Sequence, residues 1–174
     1  HFKLSNPFFI FKHDVIVFWF ASLSFFPIAF VAWLLRKDTI IIAGGFDVVK
    51  LPSIGYGGFA NPWYKRIFRR FIYRKAKKVL SISKSNQNEA LTNAKVSPDK
   101  STIVSIGFFP KSIPLTPFEA RKNKIISIGG ITNETYLRKG HKYFLELARI
   151  MPDWQFVLVG KIAPDFKYLE DFKS

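Results

Sequence analysis

The chain of 174 residues contains no cysteine. It therefore forms no disulfide and holds no thiolate-bound metal, which excludes a disulfide-stabilised secreted scaffold and a cysteine zinc site. Acidic residues are also scarce, with 12 Asp and Glu against 27 Lys and Arg, and the net charge is +15. A positive excess of this size favours anionic partners.

Common catalytic motifs are missing as well. The sequence has no Gly-x-Ser-x-Gly elbow, no P-loop and no pair of carboxylates that stands out as an acid and base. The three histidines, His1, His13 and His141, lack the spacing of metal ligands. We interpret each of them as structural or solvated, and we predict no metal site.

The positive charge is concentrated in one segment. No Asp or Glu lies between Val48 and Asn88, and the cations crowd residues 65–78. Asn61 as a cap and Pro62 at the first position predict a helix, whose apolar stripe is formed by Trp63, Ile67, Phe68, Phe71, Ile72 and Ala76. Such a basic amphipathic helix can rest on anionic lipid headgroups. The alternative is a stripe that faces the core beside a solvated basic side.

An uncharged and mainly apolar run extends from Val15 to Leu35. Its length is sufficient for a transmembrane helix, but it contains serines and a central proline. A better division is a strand over residues 14–20, a helix over residues 27–36 and a second strand over residues 39–42. This division predicts a βαβ unit, with a membrane span as the alternative.

A second βαβ unit is predicted near the end of the chain. The runs Ile125–Ile128 and Phe156–Val159 are apolar and rich in β-branched residues, which is typical of parallel strands buried on both faces. Between them, one apolar helix stripe recurs at a spacing of three and four residues: Tyr143, Phe144, Leu147, Ala148 and Met151. Pro152 ends that helix.

The bend after the first of these strands carries the clearest chemical signal. Gly129 and Gly130 let the backbone pass close to a ligand, and Arg138 with Lys139 brings positive charge to a helix start. Together they predict a cradle for a phosphorylated ligand. The alternative is that the glycines only make a tight turn and that the basic pair is solvated.

Several segments resemble family 4 glycosyltransferases, enzymes with two Rossmann-like domains in the GT-B fold. The donor domain of that family opens with a strand, Gly-Arg, a loop, Lys-Gly, a helix and a strand ending in Val-Gly. This pattern is similar to Gly129-Gly130, Arg138-Lys139-Gly140 and Phe156-Val157-Leu158-Val159-Gly160. Upstream matches are Gly45-Phe46-Asp47, the segment Ala76 to Ser83, and the segment Ile103 to Phe108.

The resemblance implies an α/β fold with two partial Rossmann-like lobes of GT-B type, in which parallel sheets are flanked by helices. Residues 1–108 would form the later half of an acceptor-side domain, residues 109–123 a linker, and residues 124–174 the first part of a nucleotide-sugar donor domain. It also implies a retaining, metal-independent transfer of sugar to a glycan or lipid-linked acceptor. No cofactor is expected, because the nucleotide-sugar is a substrate.

The same resemblance assigns roles to individual residues. Lys139 and Arg138 would be catalytic by holding the donor diphosphate, with Gly129 and Gly130 lining the same cradle. The acceptor-side candidates are Gly44, Gly45, Asp47 and Ser83. Two departures stand out, because Gly130 replaces the usual arginine and Gly44 replaces the usual acceptor-side histidine.

The chain ends before the position of the family's Glu-x7-Glu motif, and its length suits parts of two domains. We therefore expect an internal fragment that is inactive alone. The composition is compatible with a cytoplasmic location, peripheral on the cytoplasmic membrane face. Two alternatives are a non-catalytic basic membrane-associated protein and a nucleic-acid-binding protein, although no nucleic-acid-reading motif is present and we expect no nucleic-acid partner.

Overall fold

A computed structural model of the chain describes residues 7–107, 117, 119, 122–168 and 170. The chain divides into two compact units, residues 1–108 (unit 1) and residues 109–174 (unit 2). Each unit contains its own parallel sheet and its own helices. The predicted α/β class, with parallel sheets flanked by helices, is confirmed.

Unit 1 is built on four parallel strands that are adjacent in the order of the sequence. They are β1 Val15–Trp19, β2 Asp38–Ala43, β3 Lys78–Ser81 and β4 Ser101–Ile103. The connections contain three helices, α1 Phe26–Leu34, α2 Trp63–Lys75 and α3 Lys84–Asn93. Short 3-10 segments lie at Pro7–Lys12, Leu23–Phe25, Pro52–Ile54 and Pro98–Lys100.

One face of this sheet forms the core of unit 1. Parallel register pairs Phe18 with Ile41 and Ile41 with Val79, so these three side chains share a face. They belong to one buried cluster that also includes Ala29 of α1 and Ile72 of α2. On the opposite face Val15, Val17 and Trp19 are exposed. The helices therefore cover one side of the sheet.

The interpretation of residues 15–35 as a strand followed by a helix is confirmed. The run forms β1, a turn and α1, and β1 pairs in parallel with β2. The membrane-span alternative is wrong, because the run does not form one helix. The helix α1 begins at Phe26, with Pro27 as its second residue, and a turn separates it from β1. No helix in the described part of the chain is long and apolar enough to cross a bilayer.

The basic helix begins at Trp63, one residue later than predicted. Pro62 occupies the cap position, and no side chain caps the first turn of α2. The side-chain nitrogen Nδ2 of Asn61 instead donates to the carbonyl of Gly58, which lies in the preceding loop, at 3.1 Å. Asn61 therefore closes the glycine-rich loop, and the predicted capping role is wrong.

Unit 2 contains two parallel strands, β5 Lys124–Ile128 and β6 Gln155–Val159. Two helices connect them, α4 Asn133–Arg138 and α5 His141–Ile150. Both strands and their parallel pairing were predicted and are confirmed. Their predicted burial on both faces is wrong, because Ile126 and Ile128 are 55% and 74% exposed. The helices described in unit 2 leave the face that carries these two side chains uncovered.

The apolar stripe of α5 is only partly buried. Phe144 packs edge-on against Phe156 of β6, with ring centroids 5.1 Å apart. Tyr143 and Leu147, from the same predicted stripe, are exposed. The helix was therefore predicted correctly, but only part of its stripe packs against the sheet of unit 2.

Candidate functional site

A cavity lies at the carboxyl ends of β1 and β2 in unit 1. Its volume is about 220 Å³, and it is lined by Phe20, Ala21, Ser22, Gly44, Phe46, Asp47 and Arg69. Ligands of parallel α/β proteins bind outside the carboxyl ends of the strands, so this position is the expected one for a ligand site. Two predicted acceptor-side residues, Gly44 and Asp47, are among the lining residues.

Asp47 is buried and accepts hydrogen bonds from several groups. One carboxylate oxygen accepts from the backbone amides of Gly44 and Gly45, both at 3.1 Å. The other accepts from the amide of Ala21 at 3.0 Å and from the hydroxyl of Tyr73. Asp47 therefore ties together the loops after β1 and β2 and connects them to α2. Burial and then the charge of Asp47 raise the pKa of Tyr73 well above its usual value.

Arg69 lies beside this carboxylate, although the sequence placed it in the basic segment. Its side chain is buried, and it donates from Nε to the carbonyl of Ala21 at 3.2 Å and from Nη1 to the carbonyl of Gly58. Burial lowers the pKa of Arg69, while Asp47 opposes that shift. The interpretation of the basic side as solvated is therefore wrong at Arg69, because backbone carbonyls replace water as the hydrogen-bond partners of its guanidinium.

The loop after β1 explains why position 44 is glycine. A Cβ atom built on Gly44 would overlap the aromatic ring of Phe20. Phe20 itself adopts a left-handed backbone with φ of 66°, which is unusual for a residue with a large side chain. The ring of Phe20 thus occupies the space into which a side chain at position 44 would project.

Ser83 follows β3, the next strand of the sheet. It caps α3, because its hydroxyl accepts from the amide of Asn86 at 3.1 Å. Asn86 is buried and, with its amide nitrogen facing Ala43, donates to that carbonyl at 3.0 Å and accepts from the amide of Gly45 at 3.1 Å. The structure therefore brings Gly44, Gly45 and Asp47 together, whereas Ser83 is not among the residues that line the cavity.

In unit 2 the predicted cradle lies at the carboxyl end of β5. Gly129 has φ of 154°, and a Cβ atom built on it would overlap the amine of Lys139. A Cβ atom on Gly160, at the end of β6, would overlap the carbonyl of Gly129. Glycine is therefore required at position 160 by the close approach of the two strand ends, and it is favoured at position 129 by the positive φ.

The basic pair directly precedes Gly140, the N-cap of α5, and so lies at a helix start as predicted. The pair also ends a helix that was not predicted, α4. Arg138 is the last residue of α4, and Lys139 is its C-cap. The helix α4 arises because Thr132 and Thr135 form a reciprocal capping box directly after the glycine bend. Arg138 forms an ion pair with Glu134, with Nε and Oε1 2.6 Å apart. Lys139 and Arg138 are both exposed, but only Lys139 reaches Gly129 in the contacts described.

His141 is the first residue of α5 and is completely buried. Neither ring nitrogen has a hydrogen-bond partner within the described residues. Burial and the nearby charge of Lys139 lower the pKa of His141. The solvated alternative is therefore wrong for this histidine, while the structural one agrees with its burial. No cluster of three His, Cys, Asp or Glu side chains occurs in the described part of the chain.

Sequence reasoning missed the contributions of Phe20, Arg69 and Tyr73 to the unit 1 site. For Arg69 and Tyr73 a signal existed, since residues four apart in a helix share one face. No local signal indicated the unusual backbone of Phe20 or the burial of His141. Both depend on contacts between segments that are separated in the sequence.

Comparisons with known proteins show the fold alone. No protein-family model matches the chain, and no curated protein matches it. The solved structure of S. aureus MnaA in complex with UDP is similar, with a TM-score of 0.51 and 13% sequence identity. The likeness covers 95% of this chain and 46% of that chain, so this chain spans about half of its length. The likeness thus agrees with an α/β fold of parallel sheets flanked by helices.

Proposed function

We propose that this chain is part of a nucleotide-sugar-dependent glycosyltransferase. The observation that carries the proposal is the amine of Lys139, which lies over Gly129 at the carboxyl end of β5. A cation at this edge of a parallel sheet is suited to hold a diphosphate. The structure of S. aureus MnaA with UDP supports the proposal, because a protein of similar fold holds a nucleoside diphosphate.

The backbone of the same bend offers a second element of recognition. The amide of Gly130 has no hydrogen-bond partner within the described residues, and a Cβ atom built on Gly130 would meet nothing within 4 Å. An unpaired amide beside an ammonium group can bind an anionic oxygen. Gly130 and Lys139 together form the donor side of the proposed site, with Gly129 allowing their approach.

Sugar transfer from a nucleotide-sugar is accelerated by positive charge at the position where negative charge develops. As the bond between sugar and diphosphate breaks, the leaving group gains charge, and a fixed cation stabilises that transition state more than the bound substrate. Lys139 is suited to this role. Arg138 contributes only after its guanidinium leaves Glu134, so we assign it a secondary role. The proposed transfer retains configuration and uses neither metal nor cofactor.

Unit 1 would bind the acceptor. In its cavity the polar groups of Asp47 and Arg69 are engaged with the protein, whereas the rings of Phe20 and Phe46 are partly exposed. Exposed rings can stack on the apolar face of a sugar or on an isoprenoid chain. Residues 1–108 would then be the acceptor-side domain, 109–123 the linker and 124–174 part of the donor domain of an enzyme acting in the cytoplasm.

Kinetics of the full-length protein test the proposal. A panel of nucleotide-sugars is offered with glycan and lipid-linked acceptors, and release of nucleoside diphosphate is measured. We expect Lys139→Ala to lower kcat/KM by at least about tenfold, or about 1.4 kcal/mol of transition-state stabilisation. The matched control is Lys142→Ala, which removes an exposed lysine of α5 whose amine lies 3.9 Å from Glu146. It should leave the rate unchanged.

A gain of function provides a second arm. Gly130→Arg places a cation in open space, at a position where the backbone does not require glycine. We expect tighter binding of nucleoside diphosphate, partly compensating Lys139→Ala in the double variant. Equal rates for Lys139→Ala and the unsubstituted protein would contradict the role of Lys139. Absence of turnover with every donor, together with absence of nucleoside diphosphate binding, would contradict the enzyme class.

A further inference from the structure

The outer faces of α1 and α2 expose several large apolar side chains. Phe30 and Trp33 project from α1, and Trp63, Ile67 and Phe68 project from α2. Trp63 and Ile67 are 66% and 52% exposed, whereas apolar residues on the outer face of a helix are ordinarily replaced by polar ones. We name these five side chains, together with Arg74 and Lys75, the aromatic–basic face.

The exposed rings are connected through half-buried ones. Phe26 contacts Phe68 with ring centroids 4.6 Å apart, and Phe71 contacts Phe30 at 5.9 Å and Trp33 at 5.6 Å. The two helices therefore present one continuous aromatic layer. Continuous exposed apolar surface indicates an interaction site, whereas single exposed apolar residues do not.

Positive charge lies directly beside this layer. The amine of Lys75 is 4.7 Å from the ring centroid of Trp33, and Arg74 is exposed on the same turn of α2. No acidic residue occurs between Val48 and Asn88, and none of the ion pairs found in the described residues includes Arg74 or Lys75. The charges of this face are therefore available to an anionic partner.

We propose that the aromatic–basic face docks onto the surface of an anionic phospholipid bilayer. Tryptophan favours the boundary between headgroups and acyl chains, and apolar side chains of surface helices enter that boundary. Arg74 and Lys75 attract the anionic headgroups. The helices α1 and α2 have 9 and 13 residues, fewer than the roughly 20 that span a bilayer. They are therefore suited to lie on the membrane surface.

The combination of side chains favours lipid over nucleic acid. Ile67 has no ring to stack on a base, and an aliphatic residue beside tryptophans gains free energy in lipid rather than along a phosphate backbone. Docking is independent of the proposed transferase activity, because none of the residues of this face belongs to the donor cradle. A failure of one proposal leaves the other intact.

Flotation of the full chain with vesicles tests the docking. Vesicles of phosphatidylcholine alone are compared with vesicles that also contain phosphatidylglycerol, and we expect flotation with the anionic vesicles. Arg74→Gln combined with Lys75→Gln should lower the partition coefficient by about 25-fold, from about fivefold for each charge. The charge-matched control, Lys84→Gln combined with Lys95→Gln near α3, should lower it by less than about threefold.

The apolar part is tested separately by Trp63→Ser combined with Ile67→Ser. Both positions are exposed, so the fold should persist, and we expect at least about a tenfold loss of partition. Quenching of tryptophan fluorescence by brominated lipid provides a readout in the unsubstituted protein. The proposal is overturned by absence of flotation, by an equal loss in the α3 control, by normal partition of the serine variant, or by absence of quenching. Binding to an acidic protein without binding to vesicles would also overturn it.

Discussion

In each unit the candidate site lies at the carboxyl ends of the strands of that unit's own parallel sheet. The two sites differ in whether their polar groups already have hydrogen-bond partners within the protein. In unit 1 the polar groups are used by the structure itself, since Asp47 is surrounded by hydrogen-bond donors and Arg69 by carbonyls. In unit 2 Lys139 is exposed and the amide of Gly130 has no partner within the described residues. Unit 1 thus resembles a preformed pocket, and unit 2 retains polar groups for a ligand.

The hydrophobic core of unit 1 is also more completely buried than that of unit 2. Ile41 of β2 is fully buried in a cluster that includes residues from all three helices of unit 1. Ile126 and Ile128 of β5 remain exposed, because the strands and helices described in unit 2 leave that face of the strand pair uncovered. A substitution at the unit 1 site should therefore act mainly on stability. If the proposed function holds, one at the unit 2 site should act mainly on binding.

The largest effect is expected from Asp47→Ala. The substitution leaves three backbone amides and the hydroxyl of Tyr73 without an acceptor. A buried donor that loses its partner costs about 1 to 3 kcal/mol per group, so the summed loss should exceed that of any other substitution considered. Chemical denaturation combined with peptide-resolved hydrogen exchange should show this loss, with faster exchange concentrated in residues 7–107.

The comparison with unit 2 provides the control for this prediction. Glu134→Ala removes a carboxylate from the partly exposed ion pair with Arg138. Pairs of this type contribute about 0 to 1 kcal/mol. If both substitutions changed the free energy of unfolding equally, the description of Asp47 as the centre of a buried network would be incorrect.

An intermediate effect is expected from matched glycine substitutions. Gly44→Ala forces a methyl group against the ring of Phe20, and overpacking of this kind costs about 1 to 3 kcal/mol. Gly130→Ala meets open space on an ordinary backbone, so stability should be unchanged or should increase by up to about 1 kcal/mol. Denaturant midpoints and slopes of the two variants measure the difference.

A double variant shows whether the overlap with Phe20 is the cause. In Phe20→Ala the space beside position 44 is vacated, so adding Gly44→Ala should cost less than it does in the unsubstituted protein. The coupling free energy should have a magnitude between about 0.5 and 3 kcal/mol. Strictly additive effects of the two substitutions would exclude direct contact as the origin of the cost.

The parts of this structure that the sequence predicted are those with a short-range cause. The strands β1, β2, β5 and β6 follow from apolar runs of β-branched residues, and their parallel pairing follows from the helices between them. The position of the glycines and of Lys139 near one strand end follows from the same reasoning. These features are specified within about 30 residues of chain.

The missed features are set by long-range packing. Charge and spacing placed Arg69 on a solvated face, yet its hydrogen bonds go to Ala21 and Gly58 in two other loops. The helix α4 was missed because its threonine capping box lies within a run that lacks helical periodicity. The exposure of β5 could not be predicted, because strand composition indicates a suitability for burial and does not supply the covering layer.

The smallest effect is expected from the titration of His141. It should make the stability of unit 2 depend on pH in a way that the stability of unit 1 does not. The pKa of His141 is lowered in the folded state, so the unfolded state binds more protons between the folded and unfolded values. Its contribution to stability is therefore present above the unfolded pKa of about 6.5 and is lost as the pH falls below it. We expect unit 2 to lose stability as the pH falls through that unfolded value.

The variant His141→Phe retains an aromatic ring but does not titrate. Carboxylates contribute to acid destabilisation in both proteins, so the difference between the two pH profiles isolates the histidine. We expect hydrogen exchange in residues 122–168 to depend less on pH in the variant, with residues 7–107 unaffected. Identical profiles would mean that folding does not change the pKa of His141. His141 would then not cause the stability of unit 2 to depend on pH differently from that of unit 1.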